Sequence, residues 1–168
     1  VNQPSAAGGF NQNLDPMDGK AYELGVRGDL GSSGAVEVTI YQTNLNNEII
    51  PFEVAGSPGV TYSRNAGTSR HRGFEGTFSV ADPTGLFRGD VTFTHTAAEF
   101  EDYEVDGEDL SGNKIPGVSP NRLQALARLS PQQLFGGAFA EVVATYMDEV
   151  PVNDENAAGT ATPSYTIF

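Results

Sequence analysis

Residues 21–30 read AYELGVRGDL and residues 35–43 read AVEVTIYQT, and these two stretches decide the fold class. In the first stretch apolar residues alternate with charged residues: Tyr22, Leu24 and Val26 against Glu23 and Arg27. Strict alternation is typical of a β-strand with one apolar and one polar face. The second stretch alternates in the same way, and the turn-forming GSSG at 31–34 separates the two. Together they predict a β-hairpin.

The same pattern recurs further along the chain. RGFEGTFSV at 72–80 and LFRGDVTFTHT at 86–96 flank DPTG at 82–85, which predicts a second antiparallel hairpin in the same meander. One side of this sheet is predicted to carry Tyr22, Leu24, Val26, Val36, Val38, Ile40, Phe74, Phe78, Val91 and Phe93. The other side is predicted to carry Glu23, Arg27, Glu37, Glu75, Arg88 and Asp90.

Two later segments are ambiguous from periodicity alone. RLQALARLS at 122–130 and GGAFAEVVATYM at 136–147 fit a helix as well as a strand, because Ala and Leu have high helix propensity. The order of connections favours strands, since short turns alternate with long connections at 44–60, 97–121 and 148–164. This asymmetry is typical of up-and-down transmembrane barrels.

The fold prediction is therefore all-β, an antiparallel up-and-down meander that supplies about seven strands of a large transmembrane β-barrel. Residues 1–19 are predicted to be a loop, and residues 20–168 a partial barrel domain. The strands are expected near 20–30, 35–43, 61–80, 86–97, 121–129, 135–148 and 163–168.

Composition excludes several classes of protein. The 168 residues fit one domain and carry a formal charge of −13, which argues against a nucleic-acid partner, because phosphate binding needs a clustered basic surface. The absence of cysteine excludes disulfides, thiolate metal sites and cysteine nucleophiles. No apolar run approaches the length of a transmembrane helix.

Four stretches carry a resemblance to a known family. DPMDGKAYELGVRGDL at 15–30, IYQTNLNNEI at 40–49, NAGTSRHRGFEG at 65–76 and FEDYEVDGEDLSGNKIPGVSPNR at 100–122 occur in the order of the family's motifs. As a set they resemble the barrel region of TonB-dependent outer-membrane receptors.

This resemblance implies a large barrel of about 22 strands around an N-terminal plug. It implies import of a ferric siderophore or a similar scarce ligand across the cell outer membrane. The implied partners are that ligand, outer-membrane lipid, the plug and remaining strands, and an inner-membrane energy-coupling protein. We predict no catalytic residue, no metal site and no cofactor.

The long connections are the expected place of ligand recognition, because loops on a rigid scaffold vary without disturbing the strands. We predict Arg64, His71, Phe100 and Tyr103 as ligand-binding residues. Arg64 offers a charge-assisted partner for an anionic chelate, and the two aromatic rings offer flat apolar contact.

Three other groups of residues have both a functional and a purely structural interpretation. Carboxylates at 102–106 followed by Gly107 match the opening of a calcium loop, but also a solvated acidic connection. The two histidines lie on different strands, and no GxSxG motif is present, which argues against an enzyme. Arg70 and Arg72 share the parity of Phe74, where they would meet lipid phosphates or solvent, whereas His71 and Glu75 have the opposite parity.

An alternative to the receptor is a soluble all-β binding or structural module, such as a secreted sandwich or an adhesin-like subunit. In that case Val36, Val38, Phe74 and Phe93 would meet in one shared core.

Overall fold

The computed structural model describes residues 14–53, 61–65, 67–105, 107–131 and 136–168. All regular structure in these ranges is β-strand. The strands are β1 Asp18–Asp29, β2 Gly34–Asn46, β3 Ile49–Glu53, β4 Thr61–Asn65, β5 Thr68–Ala81, β6 Phe87–Asp102, β7 Glu104–Val105, β8 Glu108–Asp109, β9 Asn121–Leu129, β10 Ala140–Met147 and β11 Tyr165–Ile167. In the same ranges no helix has the length and apolar character needed to cross a membrane.

Seven of the strands form one antiparallel meander in the order β1-β2-β5-β6-β9-β10-β11, which confirms the predicted fold class. The sheet is open, with β1 at one edge and β11 at the other. Strands β3 and β4 form a separate hairpin, as do β7 and β8. The connections β2–β5, β6–β9 and β10–β11 all leave from one end of the sheet, which we call the long-loop end. The opposite end is the short-turn end.

The two predicted hairpins are confirmed. Strand β1 pairs with β2 across the turn at 31–34, and β5 pairs with β6 across the turn at 82–85. Gly31 and Gly85 have φ of 69° and 75°, a left-handed conformation that favours glycine. In the second turn the Asp82 carboxylate accepts a hydrogen bond of 3.0 Å from the Thr84 amide, which fixes the turn locally.

The register confirms the predicted facing. Val38 lies opposite Val26 on β1 and opposite Gly76 on β5, and Gly76 lies opposite Phe93 on β6. Directly opposed residues of antiparallel strands share a face. The predicted apolar residues therefore share one side, which we call the apolar face, and the predicted charged residues share the other, the polar face.

The ambiguous segments form the strands β9 and β10, and residues 136–139 lie in the turn and the irregular chain before β10. In β9, Ala125 lies opposite Val91 of β6 and Ala144 of β10. Sheet neighbours on both sides satisfy the backbone of β9, so tertiary pairing overrides the helix propensity of its Leu and Ala residues.

The expected single strand near 61–80 is wrong, because two strands occupy this range. Strand β4 ends at Asn65 and pairs with β3, which lies inside the connection expected at 44–60. The chain changes direction at Gly67, whose carbonyl accepts a 2.9 Å hydrogen bond from the amide of Asn47. A side chain at Gly67 would collide with the backbone of Asp102, so this close approach requires glycine.

Two other expectations fall partly outside the described residues. Residues 1–13 of the expected loop 1–19 lie outside them, and β1 already begins at Asp18. Residue 135, the first of the strand expected near 135–148, also lies outside them, and β10 begins at Ala140.

The sandwich alternative is wrong for this sheet. Val38 and Phe74 leave 43% and 40% of their surface exposed, whereas a shared core would bury both. Among the described residues the buried apolar side chains are instead Ala98, Phe100, Tyr103, Leu110 and Ile115. These five, which we call the loop-end cluster, all lie at the long-loop end.

Candidate functional site

Three connections meet at one point of the long-loop end through Arg64, Tyr103 and Asp154. Arg64 Nε donates to the Tyr103 hydroxyl at 2.8 Å, and that hydroxyl donates to Asp154 Oδ2 at 2.9 Å. A guanidinium nitrogen of Arg64 reaches the same carboxylate oxygen at 3.1 Å. Each residue therefore contacts the other two, and we call this arrangement the triangle.

Each corner of the triangle comes from a different part of the chain. Arg64 lies in β4, Tyr103 directly follows β6, and Asp154 lies in the connection between β10 and β11. Tyr103 can hold its position because its ring belongs to the loop-end cluster, 4.5 Å from the ring of Phe100. Phe100 itself is anchored on β6, opposite the fully buried Ser69 of β5.

Electrostatics keep the tyrosine corner in its neutral form. Burial raises the pKa of Tyr103 well above its usual value, and the neighbouring Asp154 carboxylate raises that pKa further. The hydroxyl is therefore a hydrogen-bond donor to Asp154 throughout the physiological pH range. The Arg64 guanidinium also lies 5.4 Å from the centre of the Tyr103 ring, within range of a cation–π contact.

A second polar group lies beside the cluster, around Glu48. The Glu48 carboxylate accepts a hydrogen bond from the Ser69 hydroxyl, and its Oε2 lies 3.6 Å from Nε2 of His71. The His71 interaction and the Ser69 hydrogen bond lower the pKa of the Glu48 carboxyl against the opposing effect of burial. These contacts fasten the chain leaving β2 to the polar face of β5.

The structure brings all four predicted binding residues to one end of the polar face. Arg64 and His71 keep 21% and 22% of their side chains exposed. Phe100 is 1% exposed and Tyr103 is also buried, so neither ring has an open face. The Arg64 guanidinium lies over the Tyr103 ring, and the Phe100 ring packs against that of Tyr103.

Two residues of this site escaped the sequence analysis. Asp154 lies 90 positions from Arg64, and Glu48 lies 21 positions from Ser69, so no local pattern links either pair. Their only signal is that each sits in a long connection at the same end of a meander.

The possible calcium loop is described only in part. Its described part makes the short hairpin β7–β8, and the Asp109 carboxylate accepts a 2.9 Å hydrogen bond from the Ser111 amide. Asp106 lies outside the described residues. Within the part that is described, no group of three His, Asp or Glu residues is arranged to hold a metal ion.

Comparison with known proteins identifies the family. The family model described as TonB dependent receptor-like, beta-barrel matches residues 1–168. The chain belongs to this family. It is a family of receptors rather than of enzymes.

Two solved receptors share the fold. The siderophore receptor PiuA from Acinetobacter baumannii matches with a TM-score of 0.67 and 20% identity, over 93% of this chain and 22% of that receptor. BauA, the ferric preacinetobactin receptor from the same organism, matches with a TM-score of 0.61 and 20% identity, over 88% of this chain and 21% of that receptor. The chain thus spans about a fifth of the length of each receptor.

In a TonB-dependent receptor barrel the two faces of the sheet have different surroundings, because transmembrane barrels point apolar side chains outward and polar ones inward. Arg70 and Arg72 lie on the apolar face opposite Asn44 and Gln42, as predicted, whereas His71 and Glu75 lie on the polar face. Arg70 forms an ion pair of 2.5 Å with Glu101. The two arginines mark the level at which the apolar face gives way to polar side chains.

Proposed function

We propose that this chain is part of the barrel of an outer-membrane TonB-dependent receptor that imports a ferric siderophore or a similar scarce ligand. The observation that carries the proposal is the exposed apolar face of a meander whose long connections share one end. A soluble protein rarely exposes a continuous apolar patch of this kind, whereas a barrel turns it toward lipid. The family match and the two siderophore receptors of similar fold support the same function.

The proposal also names the partners. Outer-membrane lipid would cover the apolar face. The plug would lie against the polar face, and the remaining strands would pair with the free edges at β1 and β11, because unpaired edges expose backbone hydrogen-bonding groups. An inner-membrane energy-coupling protein would drive uptake. The proposal includes no nucleic acid, no cofactor and no catalytic residue.

Ligand recognition belongs to the long-loop end in this proposal. Arg64 would contact an anionic ferric chelate directly through its positive charge, and His71 would add a contact through its partly exposed ring. Phe100 and Tyr103 would contribute by holding the surface in shape, because their rings are buried.

Uptake by cells tests the function. A strain that lacks the receptor gene should lose iron uptake from one chemical class among radio-iron-loaded catecholate, hydroxamate and carboxylate siderophores. A plasmid copy should restore that uptake. Unchanged uptake of every class under iron limitation would contradict the proposal.

Binding to the purified receptor tests the site. Arg64→Ala should weaken binding of the imported ferric complex by roughly 1 to 3 kcal/mol, because a partly desolvated charged hydrogen bond is lost. The matched control is Arg128→Ala, because Arg128 forms a 3.7 Å ion pair with Glu141 near the short-turn end. It should leave affinity unchanged. Unaltered affinity in Arg64→Ala, with loss of barrel stability, would show that Arg64 is structural.

A further inference from the structure

We propose that the triangle of Arg64, Tyr103 and Asp154 locks three connections of the long-loop end into one cooperative unit, with Tyr103 and Asp154 as positioning residues that fix the Arg64 guanidinium. The lock itself is independent of the ligand. Only its use, to present Arg64 to a ferric chelate, rests on the function proposed above.

The triangle closes across long sequence separations. Its contacts join residues that are 39, 51 and 90 positions apart. Its charged side chains are largely withdrawn from water, since Arg64 is 21% and Asp154 14% exposed. Removing one corner would leave a mostly buried charge without its full set of partners, which costs more than losing an exposed ion pair.

Other hydrogen bonds fasten two of the three connections directly to each other. The Asn113 side chain donates to the Asp154 carbonyl at 2.9 Å, and the Gly117 amide donates to the Pro151 carbonyl at 3.0 Å. Asn156 exchanges two hydrogen bonds with the backbone of Lys114, at 2.7 and 2.9 Å. The connections at 103–120 and 148–164 therefore form a double layer.

The β3–β4 hairpin joins this double layer through Arg64. At its base, the Asn65 side chain donates to the Asn47 carbonyl at 2.8 Å, a contact within the hairpin's own connection. Arg64, the preceding residue, donates hydrogen bonds to the hydroxyl of Tyr103 and to the carboxylate of Asp154. Loss of the tyrosine hydroxyl or of the carboxylate should therefore loosen the hairpin and both connections together.

Hydrogen–deuterium exchange of the full receptor in detergent, without ligand, tests the lock. Tyr103→Phe keeps the buried ring and removes only the hydroxyl. We expect exchange to become about 5- to 30-fold faster in β3–β4, in 108–118 and in 150–156 at once, the factor that corresponds to about 1 to 2 kcal/mol of local opening. Asp154→Asn should give the same pattern, and Asp154→Glu, which keeps the carboxylate, should restore most of the protection.

Tyr146→Phe is the matched control. Its hydroxyl donates to Asp148 at 2.5 Å, two positions away, so the loss should stay near residues 146–148. Faster exchange confined to the neighbourhood of residue 103 in Tyr103→Phe, or no rescue by Asp154→Glu, would overturn the lock. Because no ligand is present, failure to bind any ferric siderophore would overturn the proposed function and leave this result standing.

Discussion

The paired strands of the seven-stranded sheet, which we call the band, and the long-loop end differ in how far their apolar side chains are buried. On the apolar face of the band, Val26 leaves 71% of its surface exposed, whereas at the long-loop end Phe100 leaves 1%. Within the described residues, apolar side chains of this face such as Leu24 and Ile40 also remain exposed. The long-loop end supplies its own small core, because the connections fold back onto the end of β6.

This difference predicts where a substitution should lower the free energy of unfolding most. In the band, removal of an exposed apolar side chain leaves no cavity inside the protein. In the loop-end cluster, the same removal leaves a cavity that nothing fills.

The largest expected effect compares Phe100→Ala with Phe78→Ala. Phe100→Ala should lower the free energy of unfolding of the long-loop end by about 3 to 5 kcal/mol, the usual cost of a large cavity. Phe78 is exposed on the apolar face, so its replacement should cost only about 1 kcal/mol. Urea unfolding of the receptor in lipid vesicles, followed by limited proteolysis, measures both. Equal losses of stability in the two variants would contradict the difference in burial between the two regions.

A smaller difference in stability is expected between alanine substitutions at two glycines of β5, Gly73 and Gly76. Gly73 lies on the polar face, where an added methyl group would collide with the His95 carbonyl and lie 2.8 Å from the Tyr41 hydroxyl. That hydroxyl shares a 2.7 Å hydrogen bond with Thr96 across the glycine. Gly73→Ala should therefore cost about 1 to 3 kcal/mol through overpacking.

Gly76→Ala is the control for that substitution. Nothing lies within 4 Å of the added methyl group, so its effect should stay within about 0.5 kcal/mol. The midpoints of thermal unfolding of the two variants give the difference. If Gly76→Ala lost as much stability as Gly73→Ala, then any strand glycine would be equally important. The space that Gly73 leaves for the Tyr41 side chain would not be the cause.

The smallest effect is a pH dependence at the long-loop end. The pKa of Glu48 is lowered from its ordinary 4.5, so its contribution to stability is full above that value and is lost as pH falls through the lowered pKa. The free energy of local opening near Glu48, obtained from amide exchange after correction for the pH dependence of intrinsic exchange, should fall between about pH 5 and pH 3 by less than about 1 kcal/mol after solvent screening. Glu48→Gln should flatten this fall, and an unchanged profile in that variant would show that other carboxyls cause it.

Much of the band could be predicted from the sequence, because facing depends on a local period of two. The alternation at Tyr22, Leu24 and Val26 is enough to assign a face, and the glycine turns at 31–34 and 82–85 set the pairing. For β9 and β10 the local pattern was insufficient, since their residues also suit a helix. Pairing with neighbouring strands decides: β9 pairs with β6 and β10, and β10 pairs with β9 and β11.

The long-loop end was less predictable, because its structure also depends on contacts between residues far apart in the sequence. Burial of Phe100 and Tyr103 depends on where the chain returns after β6, and the partner of Arg64 lies 90 positions away. Sequence reasoning identified the connections as the important region and named Arg64. It could not identify Asp154 or separate buried rings from exposed ones.

The central claim, that the apolar face meets lipid while the polar face points into the barrel, is tested most directly by lipid quenching at neighbouring positions of β2. These 168 residues contain no cysteine, so single cysteines at Val38 and Glu37 can carry a fluorophore in the intact receptor once any cysteine elsewhere in that receptor is replaced by serine. A one-residue step in a strand changes the face, so brominated lipids should quench the label at residue 38 strongly and the label at residue 37 weakly. Equal quenching at both positions, or stronger quenching at residue 37, would contradict the assignment of the two faces.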